Sequence, residues 1–489
     1  MLGLIRDAAC GYFLGVGGVS SAFWVAFQIP NLFRRLFGEG ALSAAFIPVF
    51  SDYHHAGDRE GARRVAGCVV GLLLVVLAAS TLVGEAIVGG MWWFGTYDER
   101  TRLTLSLTAV MLPFMLLICT TATLGGLLNV LGRFAVPALT PVVMNVCMIA
   151  AVVVGGAWAG VPEQRLVYGV AIAVLVAGGL QVAMHWVALR KGDYAFRLAL
   201  DRRHEGVRRI VRTMGPMVLG LGAVQVNTLA DTLIAYWFVE YEGAPTVLYY
   251  AHRLYDFPLG VFGIALVTAV FAELARLSTL NDMAGFGRTV QKGMQLVLFV
   301  GVPASAGLIL VRAPLAAFLF QRGAFDADGI ERVARTVMFY AAGVWAFGCQ
   351  HVFIRSFYAL KDSRTPMKIA AAMILLNVPL NLVLVGPMEE SGLALSTAIC
   401  AVIQVILLAR ILVARVGHVD WRAVWRSVTR TAAATIVMTL AVTAIDAYGM
   451  QDPYVGVRLA VLVIVGVLSF VIAAYVIRHE ELHVLVRRR

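Results

Sequence analysis

Arginine grips phosphate oxygens well because its planar guanidinium offers a fork of N–H donors. This chain places four arginines in or beside apolar stretches long enough to cross a bilayer. Arg34 and Arg35 stand side by side in AFQIPNLFRRLFGEGALSAAFIPVF (residues 26–50), Arg253 lies in TVLYYAHRLYDFPLGVFGIAL (246–266), and Arg6 is near the start. An arginine at the centre of a spanning helix costs roughly 2.5–3.5 kcal/mol on insertion scales, so such residues face a bundle interior or a wet cavity, or snorkel from a helix end. Successive helical residues point about 100° apart, so Arg34 and Arg35 cannot serve one cavity. Glu39, at i+4, is a natural partner for Arg35, which leaves Arg34 as the unpaired member. Arg253 has Asp256 at i+3, so a plain helix-surface pair is the competing reading there. Arg6 adjoins Asp7, but adjacent helical positions do not face each other. If Arg6, Arg34 and Arg253 converge from three helices, they make a cationic cavity for phosphate oxygens.

The rest of the chain must supply those helices. Of its 489 residues 60% are hydrophobic and 14% charged, with mean hydropathy +0.82, against about 25% charged in soluble domains. The fold class is therefore an all-α polytopic membrane protein. Thirteen apolar runs of spanning length follow one another from residue 22 to 477, and residues 2–20 read as the second half of a fourteenth helix. The loops 51–64, 131–134, 190–212, 273–292, 355–368 and 410–430 plus the tail 478–489 carry 28 Lys and Arg, and the alternate loops carry 8. That bias predicts cytoplasmic termini and accounts for most of the net charge of +11 without nucleic acid. The six cysteines lie in apolar stretches without CxxC spacing and read as buried small hydrophobes.

Sliding residues 26–65 by 225 positions onto 251–290 matches Ala26/Ala251, Phe37/Phe262, Gly38/Gly263, Ala44/Ala269, Phe46/Phe271, Arg63/Arg288 and Val65/Val290. Duplicated transporter halves carry this kind of faint repeat. The expected organisation is an N-terminal lobe of six helices (1–195), a C-terminal lobe of six (205–415), two further helices (420–478) and a basic cytoplasmic tail (479–489). The basic loop 190–212 joins the lobes.

The segments RDAACGYFLGVGGVSSAFWVAFQIPNLFRRLFGEGALSAAFIPVF, YYAHRLYDFPLGVFGIAL, LFQRGAFDADG and FYALKDSRTPMKIA resemble the MurJ (MviN) lipid II flippase family, and the likeness runs along nearly the whole chain. The resemblance implies a fourteen-helix fold of the multidrug/oligosaccharidyl-lipid/polysaccharide exporter superfamily, with the last two helices forming a groove for a lipid tail. It implies alternating access that moves the undecaprenyl-diphosphate-linked peptidoglycan precursor from the cytoplasmic to the periplasmic face of the bacterial inner membrane. The partners would be that precursor, membrane lipids and other cell-wall synthesis proteins. The family's central arginine triad falls on Arg6, Arg34 and Arg253. Relatives begin earlier, with one more arginine upstream, and carry an acidic residue where this chain has Ser21. Some relatives bind sodium in the second lobe, and the matching positions are Asp231, Asn377, Asn381 and Thr397; one expected carboxylate is Asn381. Oxygen side chains suit a hard cation, while the competing reading of Asn377 and Asn381 is interhelical hydrogen bonding. No other cofactor is expected.

Catalysis has little to stand on. His479-Glu480-Glu481-Leu482-His483 has the form HExxH, which on a helix puts two zinc ligands on one face. No third ligand follows, so a solvated amphipathic tail is the expectation. There is no GxxxxGK[ST] and no GxSxG. The remaining alternatives are sister transporters, an O-antigen or polysaccharide lipid flippase or a multidrug antiporter. An exporter of cationic drugs would carry cavity carboxylates, and this chain carries arginines.

Overall fold

The computed structural model describes residues 2–38, 41–192, 194–201, 203–258, 260, 264–417, 419–448 and 454–482, and the described residues are helical without a strand. The chain packs as two compact units. One holds Met1–Leu233 with Tyr241–Thr246 and Arg322–Phe325, the other the remainder.

The first unit contains α1 (Leu2–Leu14), α2 (Gly18–Phe33), a π turn (Arg34–Gly38), α3 (Ala41–His55), α4 (Arg59–Phe94), α5 (Glu99–Met111), α6 (Phe114–Val130), α7 (Ala135–Val152), α8 (Glu163–Arg190) and most of α9 (Glu205–Phe238). α2 packs on α5, α6 and α8 through Ala22, Phe23, Trp24 and Ala26, all buried. Pro113 has no N–H and interrupts the ladder between α5 and α6, which meet at 40°. The second unit contains most of α10 (Ala244–Pro258), then α11 (Ile264–Thr279), α12 (Met283–Phe320), α13 (Ala327–Ala342), α14 (Val344–Ala359), α15 (Arg364–Met388), α16 (Glu390–Val416), α17 (Trp421–Tyr448) and α18 (Val455–Val476). Its main core joins α12, α14 and α16 through residues such as Phe286, Phe353, Phe357 and Leu408. A second cluster seats α17 and α18 on α12 through Phe299, Met438 and Phe470.

Among the described residues, eight helices are long and apolar enough to cross a membrane singly, and α5–α6 and α13–α14 make two more if each bent pair counts as one span. The three other runs read from the sequence, 22–50, 210–238 and 246–272, lie on α2–α3, α9 and α10–α11. The two long helices α4 and α12 open with the same device. Asp58 accepts from the Gly61 N–H at 2.8 Å, and Asp282 from the Gly285 N–H at 2.8 Å, an N-cap of the kind that contributes about 1 kcal/mol. Two other hydrogen bonds, both in the first unit, span 225 positions: Ser21 Oγ to Thr246 Oγ1 at 2.9 Å, and Tyr241 OH donating to the Val16 carbonyl at 3.0 Å. The sequence repeat has the same offset.

The basic segment after α8 is pinned rather than loose. The Ala199 N–H donates to the Gly67 carbonyl at 3.2 Å, and Gly67 and Gly71 lie so close to the Arg197 and Ala199 carbonyls that a Cβ on either would overlap them. Phe196 sits edge-on to Trp186 with centroids 5.2 Å apart, and Tyr194 OH bonds His54 Nδ1 at 2.7 Å.

Candidate functional site

Arg34 opens the π turn that follows Pro30. The proline withholds one backbone donor from the ladder, and a π turn is an irregularity that recurs at functional sites. Arg34 is half-buried, and its Nε donates to Asn31 Oδ1 at 3.2 Å while Asn31 Nδ2 donates to the Phe27 carbonyl at 2.9 Å. The expectation of an unpaired Arg34 is thus corrected: an asparagine three residues back, within reach on the same face, orients its guanidinium. Arg35 is exposed and donates to Gln225 Oε1 of α9 at 3.2 Å; Glu39, its expected partner, lies outside the described residues.

Arg6 sits on α1, which packs against α7 and α8. The structure corrects the expectation that Arg6 and Asp7 stand apart. Arg6 Nε and Nη2 reach Asp7 Oδ1 at 2.9 and 2.5 Å, with Arg6 7% and Asp7 0% exposed. Two charges removed from water gain more by pairing than by following helical geometry, and the long arginine stem lets the guanidinium fold back.

Arg253 is half-buried on α10. Asp256 does not take it as an i+3 partner: its carboxylate lies 3.0 Å from His252 Nδ1, and His252 Nε2 bonds Tyr255 OH at 3.0 Å. Tyr255 in turn stacks on Tyr340. Arg6 and Arg34 belong to the first unit and Arg253 to the second.

The expected cation residues are all placed. Asp231, buried on α9 in the first unit, receives a long 3.5 Å contact from Asn227. Asn377 and Asn381, one turn apart on α15, are buried against α16. Asn381 Nδ2 donates to Asn377 Oδ1 at 2.8 Å, Asn377 Nδ2 to Ser396 Oγ at 3.2 Å, and Ser396 Oγ to Asn381 Oδ1. Thr397 donates to the Leu393 carbonyl at 3.0 Å. Sequence reading missed Ser396, which closes this ring of bonds; its place beside Thr397 and one turn before Cys400 was the available signal. Ser21, fully buried, meets the hydroxyl of Thr246.

At the far end of the chain, the expectation of a solvated segment from residue 479 is corrected. His479 is 1% exposed, its Nδ1 lies 2.6 Å from Glu481 Oε2, and its Nε2 is 2.9 Å from Thr431 Oγ1 of α17. Ser427 donates to Glu481 Oε1 at 2.7 Å, and the Phe299 ring of α12 lies against the imidazole. An amphipathic stretch docks when its polar side chains find partners, and composition alone does not reveal those partners. His483 lies outside the described residues. Among the described residues no group of His, Cys, Asp and Glu is arranged to hold a metal. In the turn before α15, Asp362 accepts from Thr365 Oγ1 at 2.6 Å, from the Arg364 and Thr365 N–H groups, and from Arg415 at 2.5 Å. These bonds, led by Thr365, hold its carboxyl down at about 2.

With these placements, the chain can be set beside known proteins. The family described as "Lipid II flippase MurJ" matches residues 10–465. This chain belongs to the MurJ family. A "Probable lipid II flippase MurJ" of Rhizobium meliloti is 34% identical over 425 residues, covering 86% of this chain and 78% of that protein. The Vibrio cholerae protein of the same description is 32% identical over 423 residues, covering 84% and 79%. In three dimensions, the solved structure "Lipid II flippase MurJ, inward closed conformation" superposes with TM-score 0.79 at 22% identity, covering 97% of this chain and 96% of that one. An inward-facing multidrug resistance MATE family transporter of the MOP superfamily gives 0.71 at 14% identity, covering 85% and 95%. MurJ membership makes this a multi-pass membrane protein of a transport family, and the exporter fold is shared with the MATE proteins.

Proposed function

We propose that this protein flips the lipid-linked peptidoglycan precursor, lipid II, across the bacterial inner membrane by alternating access. Family membership over nearly the whole length carries this reading. Arg34 and Arg253 hold the diphosphate and Arg6 completes the cationic site. Support comes from Arg34, which an asparagine orients at a π turn, and from Arg253, half-buried on α10. Such donors form charge-assisted bonds roughly twice as strong as neutral ones. α17 and α18 supply the groove for the lipid tail, supported by exposed apolar residues such as Ile436, Leu440, Ile464 and Ile472. Both termini are cytoplasmic, and other cell-wall synthesis proteins are partners. Asp231, Asn377, Asn381 and Thr397 form a weak sodium site, because one carboxylate is the only full charge in the set and the asparagine oxygens already accept hydrogen bonds.

Complementation of a strain depleted of its lipid II flippase tests the substrate directly. Growth on this gene supports the reading. Failure to grow while the protein accumulates in the membrane, with growth of a polysaccharide-flippase mutant instead, overturns it. A reporter fused at Arg489 that is active only in the periplasm would reverse the topology.

A further inference from the structure

Glu85 is an acidic residue in the middle of an apolar span, on α4, where the arginine mechanism has no use for it. α4 is 36 residues long, with Arg59, Arg63 and Arg64 at one end and Trp92, Trp93 and Phe94 at the other. Tryptophans mark the membrane–water boundary, and at 1.5 Å per residue Glu85 lies about 10 Å inside Trp92. An intramembrane carboxylate is costly and usually functional. Glu85 makes no hydrogen bond or ion pair among the described residues, and no charged side chain acts on its carboxyl. Of the elements packed on α4, α6 carries no charged residue, α3 has Asp52, His54 and His55 at the opposite end, and α5 has Glu99, Arg100 and Arg102 in its first turn.

The carboxylate lines a groove of ≈ 180 Å³ between α4 and α5, with Val88, Gly89, Trp92, Leu105, Ser106 and Ala109. Beside the Trp92 indole N–H, the lining offers acceptors. Ser106 gives its hydroxyl proton to the Arg102 carbonyl at 2.7 Å, leaving lone pairs. Ala109 is four residues before Pro113, which has no N–H to offer its carbonyl. Independently, Thr81 is 8% exposed and its Oγ1 is buried without a hydrogen-bond partner, one turn from Glu85 on the same helix face. The groove has room for water. An added helix, about 10 Å across, does not fit. A divalent ion would leave a net positive charge in the bilayer, whereas a monovalent one neutralises the site.

We propose that the α4–α5 groove binds one monovalent cation, a proton or a sodium ion, on Glu85, with oxygens of Thr81, Ser106 and Ala109 beside it. This places a cation site on α4 and α5, on other helices than Asp231 of α9 and Asn377 of α15. It enters from the tryptophan end, where Gly89 leaves open space.

The test uses the full-length protein in lipid nanodiscs and a hydrophobic fluorescent carbodiimide, which reacts with protonated carboxyls in apolar surroundings. The peptide containing Glu85 should be labelled, and labelling should fall about tenfold per pH unit above the carboxyl's midpoint. Sodium chloride that protects where choline chloride does not identifies sodium as the occupant; pH dependence without sodium protection identifies the proton. Thr81→Ala should shift the pH midpoint or the protecting sodium concentration several-fold, and Glu85→Gln should remove the label. Absence of labelling on the folded wild-type protein, or labelling indifferent to both pH and sodium, overturns the proposal. Because the readout is taken on the wild-type chain, a misfolded variant does not blur the result, and failure here leaves the arginine site untouched.

Discussion

Replacing Arg34 by lysine separates a ligand-binding arginine from one that only sets topology. The charge is kept, so insertion and the 28-to-8 bias of basic residues are untouched. What is lost is the Nε donor that Asn31 orients at 3.2 Å, together with the planar fork that meets a diphosphate in two places. One hydrogen bond to a charged group contributes about 1.5–3 kcal/mol. At about 1.4 kcal/mol per factor of ten, Arg34→Lys should cut transport roughly 10- to 150-fold. Arg35→Lys is the matched control. Arg35 is exposed and its described bond goes to a neutral amide, a contact contributing about 0.5–1 kcal/mol to stability and nothing to the ligand. Both variants would be expressed in the flippase-depleted strain, membrane levels equalised by immunoblot, and lipid II followed by its accessibility at the outer face. Equal, near-normal export by the two lysine variants, or Arg34→Ala and Arg253→Ala both supporting normal growth, would refute the arginine mechanism.

Removing Asp231 as alanine should abolish sodium-dependent thermal stabilisation; stabilisation that survives the change removes this residue from the cation site. His479→Ala strands the Thr431 hydroxyl and leaves the Glu481 carboxylate with Ser427 alone and should cost about 2–4 kcal/mol, visible as a lower unfolding temperature in detergent; an unchanged temperature would mean that the buried contacts contribute nothing. Gly71→Leu should expel the segment that crosses α4, so trypsin should cut at Arg197 many times faster than in wild type, and equal rates would disprove the pinned arrangement. For Asp362 the folded carboxyl sits at about 2, below the ordinary value of about 3.9. Its contribution is therefore complete above about pH 4 and lost as pH falls through about 2. Asp362→Asn should destabilise by about 1–2 kcal/mol at neutral pH and be indistinguishable from wild type in strong acid, which denaturation curves across pH would check.

Helices were legible because a bilayer leaves the backbone few choices and makes apolar length a direct signal. The arginines were legible for the complementary reason, since a charge in such a run is conspicuous. Pairings were less so. Helical geometry forbade Arg6 and Asp7 to face each other, yet burial of both brought them together. His479 and Glu481 looked like a wet tail because their partners, Ser427 and Thr431, lie about fifty residues upstream. The pinned segment after α8 was invisible as well: Gly67 and Gly71 read as ordinary small residues of an apolar helix until a second backbone lies on them. Glu85 drew no notice beside four arginines, and only the groove and the unpartnered Thr81 hydroxyl single it out.

Ser21 and Thr246 touch across the interval that separates the two copies of the sequence repeat, and so do Val16 and Tyr241. Before duplication and fusion, when a single short gene would have supplied both copies as identical chains, a residue at such a place would have met itself. Hydroxyl facing hydroxyl is comfortable under that rule, because each can donate while the other accepts. Acid facing acid is not, because two carboxylates at contact distance cannot both ionise. Joining the copies in one reading frame lifts the rule, since each side can then mutate without its twin. An unequal pair at this place is thus open only to the fused chain, and serine facing threonine is already such a pair.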